Sequence, residues 1–353
     1  MNFIITLLIL IFILGIIILI HEWGHFITAK KAGVYVNEFS LGMGPLLFKF
    51  KPKKSETTYS VRAFPVGGYV SMAEKDGMDK SIKKDRVLEN KSFIRRLLVL
   101  IMGIVMNFVL AIVVFFISGL IYGRSIQDTS IGMILDGSPC AKSGLEVGDV
   151  ILKINDTKMD SWDDILLEIS AKKLQDNYVF EVKKTDGSIK KYDVVPEVTM
   201  EDDTEKRLFG VGASAVRYEK GFKNALIYSV EATGDTVNTI FKILGSLFTG
   251  KVSLNNLSGP VGIYTVVDQV KSSGLQPILY LIAYLSLNVG IINLIPVPVF
   301  DGGRVLLLLI ETISKKKPSE KLEIALNYIG FLIMIILMLY VTYNDVTKLF
   351  RWL

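Results

Sequence analysis

The sequence predicts an α-helical polytopic membrane protein with about four transmembrane helices, a membrane-associated β region and one folded aqueous insert. Three observations predict it. The chain has 353 residues, half of them hydrophobic and 21% charged, with a formal net charge of +5. The charge is segregated: residues 1–20 and 97–123 carry none, whereas 49–96 and 142–223 are dense in lysine and acids. Finally, apolar runs long enough to cross a bilayer, roughly 20 residues at about 1.5 Å each, are flanked by basic loops. The same contrast excludes a disordered chain and a simple soluble globule. The basic residues alternate with acids beside apolar runs, so no nucleic-acid partner is expected. The single cysteine, Cys140, permits neither an intramolecular disulfide nor a cysteine zinc cluster. It reads as a small buried residue.

The elements follow in chain order. Asn2–Ile20 is a retained span, because its start is uncharged and the apolar run leads straight into His21, unlike a signal peptide. Leu97–Tyr122, behind Arg95 and Arg96, is the second span. Ile278–Ile295, broken at its end by Pro296 and Pro298, is the third. Ile324–Val341, behind Lys315, Lys316, Lys317 and Lys321, is the fourth. Between the first two, Leu46–Lys51 and Tyr59–Tyr69 alternate in polarity, and the second stretch contains Pro65, Gly67 and Gly68. This predicts β-hairpin structure near the membrane. Lys30, Lys31, Lys49, Lys51, Lys53, Lys54, Arg86, Arg95 and Arg96 crowd one loop, and Arg304 with the lysine triplet the other. Four spans put both loops on one side, the cytoplasmic one by the positive-inside rule. Residues 123–277 and both chain ends then lie outside.

The outside region opens with SIGMIL at Ser130–Leu135 and continues to a helix over Trp162–Lys173. Strands at Tyr178–Lys184 and Lys190–Pro196 follow, joined by Asp186-Gly187, a strong hairpin signal. The stretch SPCAKSGLEVGDVILKINDTKM (138–159) resembles a PDZ domain of the permuted bacterial type. PDZ domains capture extended peptides by strand addition. Phe222–Phe248 has a helical period in Phe222, Leu226, Val230, Val237, Phe241, Leu244 and Phe248, with Lys223, Glu231, Asp235 and Lys242 on the other face. Such a helix either packs on protein or lies on the membrane surface. GPVGI at 259–263 interrupts it.

The chemistry gathers at the end of the first span. His21-Glu22-Trp23-Gly24-His25 is an H-E-x-x-H motif, and it uses both histidines of the chain. On a helix, residues four apart share a face, so both imidazoles can hold one Zn²⁺ and Glu22 can act as general base on the water that the metal activates. A catalytic zinc needs a third protein ligand. With no histidine left, a carboxylate is expected, and Asp301, in NLIPVPVFDGG at the cytoplasmic end of the third span, lies at the same depth as the motif. The alternative role for Asp301 is N-cap of a helix over 302–313.

HEWGH in the first span, NLIPVPVFDGG in the third, the PDZ-like stretch between spans two and three, and four spans overall resemble the site-2 protease family of intramembrane zinc metalloproteases. The bacterial regulator-of-sigma-E protease group is the most similar branch, and the resemblance covers essentially the whole chain. It implies zinc ligands His21, His25 and Asp301, a catalytic Glu22, and substrate-binding Asn288 and Asn293. The alternative role for the two asparagines is helix–helix hydrogen bonding inside the bundle. It further implies that the β region, with its GMGP and FPVGGYV stretches, offers an edge strand to an unwound substrate.

The implied fold is four transmembrane helices, the β region and one extracytoplasmic PDZ-like α+β domain. The implied divisions are 1–33, the first helix with HExxH; 34–96, the β region and loop; 97–123, the second helix; 124–215, the PDZ-like domain; 216–277, an amphipathic helical region; 278–303, the third segment; 304–323, a cytoplasmic loop; and 324–353, the fourth helix and tail. The implied partners are the lipid bilayer and single-pass transmembrane substrates, such as anti-sigma factors or remnant signal peptides. The implied location is the bacterial inner membrane, with the active site toward the cytoplasm. Phe300 stands where the family usually has Leu, and one PDZ-like unit is present where some relatives have two. Two other readings are a PDZ-bearing membrane scaffold without catalysis and a transporter or channel. Intact HEWGH and Asp301 oppose the first, and no internal inverted repeat supports the second.

Overall fold

The computed structural model describes residues 2–73, 82–126, 129–169, 177–201, 204–214, 217–250, 258–316 and 319–351. The chain divides into two compact units: Met1–Ile121 with Ala225–Leu353, and Tyr122–Asn224.

The first unit is built on helices. α1 (Asn2–Lys31) is continuous through HEWGH and ends on Lys30 and Lys31, cations that suit a helix C-terminus. α2 (Phe93–Tyr122) starts four residues before the apolar run and takes Arg95 and Arg96 into its first turn. These two, the later helix over Leu275–Leu294 and the stretch Ile324–Lys348 are long and apolar enough to cross a membrane. Packing between them relies on small residues, as expected where lipid removes the hydrophobic drive between helices. Gly103, Ala111, Ser118, Gly119, Ala283, Ser286 and Gly290 are all buried. Larger side chains, among them Ile13, Ile17, Phe115, Leu287 and Ile291, fill the space around them.

Between α1 and α2 lie β1 (Val36–Phe50) and β2 (Thr58–Met72). The expected hairpin is more elaborate than a single pairing. Phe39 pairs with both Tyr59 and Val70, and Tyr59 pairs with both Phe39 and Phe50. Each long strand is therefore bent on itself, giving the lateral order 46–50, 58–62, 36–41, 68–72. The bends fall at Gly42 (φ +87°) and Gly67 (φ +84°), in the left-handed region that glycine enters without penalty. Glu56, in the β1–β2 loop, holds Arg86 through two hydrogen bonds of 2.7 and 2.8 Å, and Lys30 at 2.6 Å. Arg86 first, with Lys30 opposing the effect of partial burial, keeps its carboxyl below the usual range.

Among its described residues, the second unit holds a four-stranded antiparallel sheet and three two-stranded ladders. β3 (Arg124–Ile126), β4 (Ile131–Ile134), α3 (Pro139–Ser143), β5 (Val150–Ile154), β6 (Thr157–Lys158), α4 (Trp162–Ile169), β7 (Tyr178–Lys183) and β8 (Ile189–Val194) come first. β9 (Glu197–Glu201), β10 (Thr204–Leu208), β11 (Val211–Ala213) and β12 (Arg217–Glu219) complete it. The sheet order is β6-β5-β7-β8, and the ladders are β10-β9, β11-β4 and β12-β3. SPCAKSG encodes α3 locally: Ser138 caps the Ala141 amide, Pro139 opens the helix, and Gly144 at φ +93° ends it. The Asp186-Gly187 turn joins β7 to β8 as expected, and the end of the expected Trp162–Lys173 helix lies outside the described residues. Ile151, Ile154, Ile165, Tyr178, Phe180 and Val182 are the buried centre. Cys140 is buried there too, and desolvation pushes its thiol up to about 12, so it is inert as a nucleophile.

The helical unit resumes with α5 (Phe222–Phe248), α6 (Pro260–Val270), α7 (Leu275–Leu294), α8 (Asp301–Ser314) and α9 (Glu320–Arg351). The expected apolar stripe of α5 is split. Val237 and Leu244 pack on the core, whereas Phe222, Leu226, Val230 and Phe241 are exposed. The buried face is carried instead by Ala225, Ser229, Thr233, Thr236 and Ile240. Small residues win because α5 lies close to α2: a Cβ on Gly119 would sit 2.9 Å from Ala225 Cα. GPVGI, expected to break the helical pattern, starts α6. Asp345 on α9 accepts from the Gly259 and Gly262 amides, both at 2.8 Å, and so caps α6 from another helix.

Candidate metal centre

Three helices bring the site together. His21 and His25, one turn apart on α1, are 8% and 7% exposed. Asp301 is the first residue of α8, after α7 has ended at Leu294. Pro296 and Pro298 sit in the intervening loop, where neither can continue a helix. The Asp301 carboxylate thus occupies a helix N-terminus, where backbone N–H groups favour negative charge. The alternative role of Asp301 as N-cap is overturned. Phe300 holds the cap position without a side-chain bond, and Asp301 lies inside the helix with its carboxylate on the imidazoles.

Two glycines make this approach possible. A Cβ on Gly302 would collide with the Leu294 carbonyl oxygen, and one on Gly303 with that of Val297. The start of α8 therefore folds tightly under the proline loop. Arg96 on α2 grips Glu311 on α8 with two hydrogen bonds, 3.1 and 2.8 Å, and holds the helix from its far end. Across the α1–α2 contact, a Cβ on Gly24 would lie 2.5 Å from the Met102 oxygen, and one on Gly103 would overlap His25 Nε2.

The donor atoms converge. His21 Nε2 is 3.1 Å from Asp301 Oδ2, His25 Nε2 is 3.2 Å from it, and the two Nε2 atoms are 3.2 Å apart. A tetrahedral zinc with bonds of about 2.05 Å keeps its ligands about 3.3 Å apart. The spacing fits one face of such a tetrahedron, and two imidazoles with one carboxylate are an ordinary donor set for catalytic zinc. His25 Nδ1 donates to the Val99 carbonyl at 2.7 Å, which leaves the Nε2 lone pair facing the cluster. His21 Nδ1 is 3.2 Å from the Asn107 amide nitrogen. Among the described residues, His21, His25 and Asp301 are the one group of three or more such side chains placed to hold a metal.

Glu22, half-buried beside them, has His25, His21, Asp301 and Arg304 within electrostatic reach. A Cβ on Gly68 would sit 2.9 Å from Glu22 Cγ, so the 68–72 edge of the β region runs against the motif. Asn288 is half-buried and donates to the Tyr284 carbonyl of its own helix at 2.9 Å. Asn293 is half-buried one residue before α7 ends. Sequence reasoning passed over Gly103 and Asn107. Asn107 carried a usable signal, as the only amide side chain in the charge-free run 97–123.

Four bilayer-length apolar helices among the described residues, with a zinc-type donor set and a glutamate in an H-E-x-x-H motif, define a membrane zinc metalloprotease. The chain belongs to peptidase family M50, whose model matches residues 9–337. A provisionally named zinc metalloprotease of Clostridium acetobutylicum is 37% identical over 332 residues, covering 94% of both chains. The regulator of sigma-W protease RasP of Bacillus subtilis is 32% identical over 427 residues, 99% of this chain and 100% of its own. The zinc metalloprotease RasP of Shouchella clausii is 31% identical over 429 residues, 98% of this chain and 99% of its own.

Proposed function

We propose that the protein is a zinc-dependent endopeptidase that hydrolyses a peptide bond inside the transmembrane segment of single-pass membrane proteins. The observation that carries this reading is the convergence of His21 Nε2, His25 Nε2 and Asp301 Oδ2 beside Glu22. In it, His21, His25 and Asp301 hold Zn²⁺. When bound, the metal supplies Lewis acidity that makes water nucleophilic at neutral pH. Glu22 takes a proton from the attacking water as its oxygen joins the carbonyl carbon. Glu22 then returns that proton to the amine nitrogen as the C–N bond breaks, and the new acid and amine termini settle as carboxylate and ammonium once the acid's proton passes to the amine.

A helical substrate must unwind first, because its carbonyls are already hydrogen-bonded. Strand addition to the 68–72 edge offsets this cost. Two features support the assignment: among the described residues that edge pairs with 36–41 on one side only, and Gly68 abuts Glu22. Asn288 and Asn293 hold the substrate backbone. Leu46, Leu47, Phe48 and Phe64 are exposed apolar side chains on the β region and suit contact with lipid. The insert at 124–215 acts as a PDZ-like domain that screens substrate ectodomains outside the membrane. The site opens toward the cytoplasm of a bacterial inner membrane, and the substrates are membrane-bound anti-sigma factors or remnant signal peptides. The name of the Bacillus subtilis relative, a regulator of sigma-W protease, agrees with the first class.

Glu22→Gln tests the mechanism. The variant should fold and keep zinc while cutting a model transmembrane substrate ~10²–10⁴-fold more slowly. Cleavage at the wild-type rate removes Glu22 from the chemistry.

A further inference from the structure

Asn107 carries an observation that the metal cluster alone does not explain. It is fully buried on α2, four residues beyond Gly103, and its amide faces His21 Nδ1 at 3.2 Å. Its side-chain oxygen is buried with no hydrogen-bond partner among the described residues. The hydrogen bond to α7 is made by the main chain instead: Ser286 Oγ donates to the Asn107 carbonyl at 2.8 Å. The amide is therefore directed at His21.

The orientation of that amide decides which nitrogen of His21 carries the proton. With Nδ2 toward the ring, His21 Nδ1 accepts, and the ring proton sits on Nε2, where it can be donated to Asp301 Oδ2 at 3.1 Å. That tautomer has no lone pair for a metal. Turning the amide about its Cβ–Cγ bond exchanges its oxygen and nitrogen, which are nearly equal in size. The oxygen then accepts from Nδ1–H, and Nε2 is left with a free lone pair. His25 needs no such adjustment, because the Val99 carbonyl at its Nδ1 can only accept.

We propose that Asn107 is a positioning residue that sets the tautomer of His21: its side-chain oxygen accepts from Nδ1–H, which leaves the Nε2 lone pair for the metal. The buried Oδ1, without another partner among the described residues, is the acceptor that serves this role. The proposal rests on the reading of His21 as a metal ligand. Gly103 and Asn107 then serve one ligand each on the same face of α2: the first makes room for His25, and the second orients His21.

The test is zinc affinity, measured by chelator competition on the full-length protein in detergent, for wild type, Asn107→Leu and Asn107→Asp. The thermal midpoint of each metal-free form is recorded alongside. Leu keeps the branching of Asn at Cγ, with somewhat greater bulk and no acceptor, whereas Asp keeps one. Loss of such an outer partner weakens metal binding by roughly 10–100-fold, so Leu should bind that much more weakly, while Asp stays within about 3-fold of wild type. An unchanged metal-free midpoint in the Leu variant assigns the loss to the hydrogen bond rather than to packing. Wild-type affinity in the Leu variant, or equal losses in Leu and Asp, overturns the proposal. If the Leu variant does not fold, Asn107→Ala replaces it in the same comparison with Asp. A wild-type protein that binds no zinc removes the metal reading, and this proposal with it.

Discussion

Asp149 in the insert and Asp301 in the helical unit are both withdrawn from water, with side chains 1% and 15% exposed. Their surroundings differ. Asp149 is met by the Lys184 ammonium at 3.0 Å and the Glu146 amide at 2.9 Å. Lys184 is held above its ordinary value by Glu146 first and also by Asp149, so its ammonium stays charged at neutral pH. Asp301 is met by two imidazole nitrogens and no lysine or arginine within ion-pair distance among the described residues. Asp345 is a third case, satisfied by two backbone amides. A buried carboxylate with its cation or its N–H donors supplied by the fold is a structural element. One that faces two imidazole nitrogens and no lysine or arginine has no fixed cation beside it, and a divalent cation can take that place.

The contrast can be broken from either side. Asp149→Ala removes one of the two carboxylate partners of an ammonium that is only 10% exposed, together with the acceptor of the Glu146 amide, and should destabilise the insert by about 2 kcal/mol. Hydrogen exchange within the full chain should show lost protection over 130–200 and an unchanged zinc content. If zinc falls as well, the two carboxylates are not separable. Gly103→Ala acts on the other unit. The added methyl meets His25 Nε2, and displacing a ligand by even a fraction of an ångström should lower cleavage by roughly 100-fold, about 2.7 kcal/mol. Insert protection should be untouched. Wild-type cleavage by this variant would mean that His25 is not held as described.

The sequence made the spans legible because lipid imposes a long, uniform apolar signal on each. It made the cluster legible because two histidines in one motif left only a carboxylate to complete it. Other features depended on contacts between distant elements. The doubling back of β1 and β2 follows from glycine bends whose partners lie some 20 residues away, and alternation alone reads the same for one long hairpin. The split apolar face of α5 follows from its closeness to Gly119, which no periodicity within 222–248 records. Asn107 was hidden for the opposite reason. One amide in an apolar run is compatible with helix–helix contact, and only its distance to His21 gives it a specific task.

The central claim is that Asp301 completes a metal site with His21 and His25. Zinc per chain, measured by plasma mass spectrometry on purified full-length protein and on Asp301→Ala after identical dialysis, tests it most directly. The account predicts one zinc per wild-type chain and essentially none in the variant, with both proteins folded. A variant that keeps its zinc, or a wild-type chain that holds none, would contradict it.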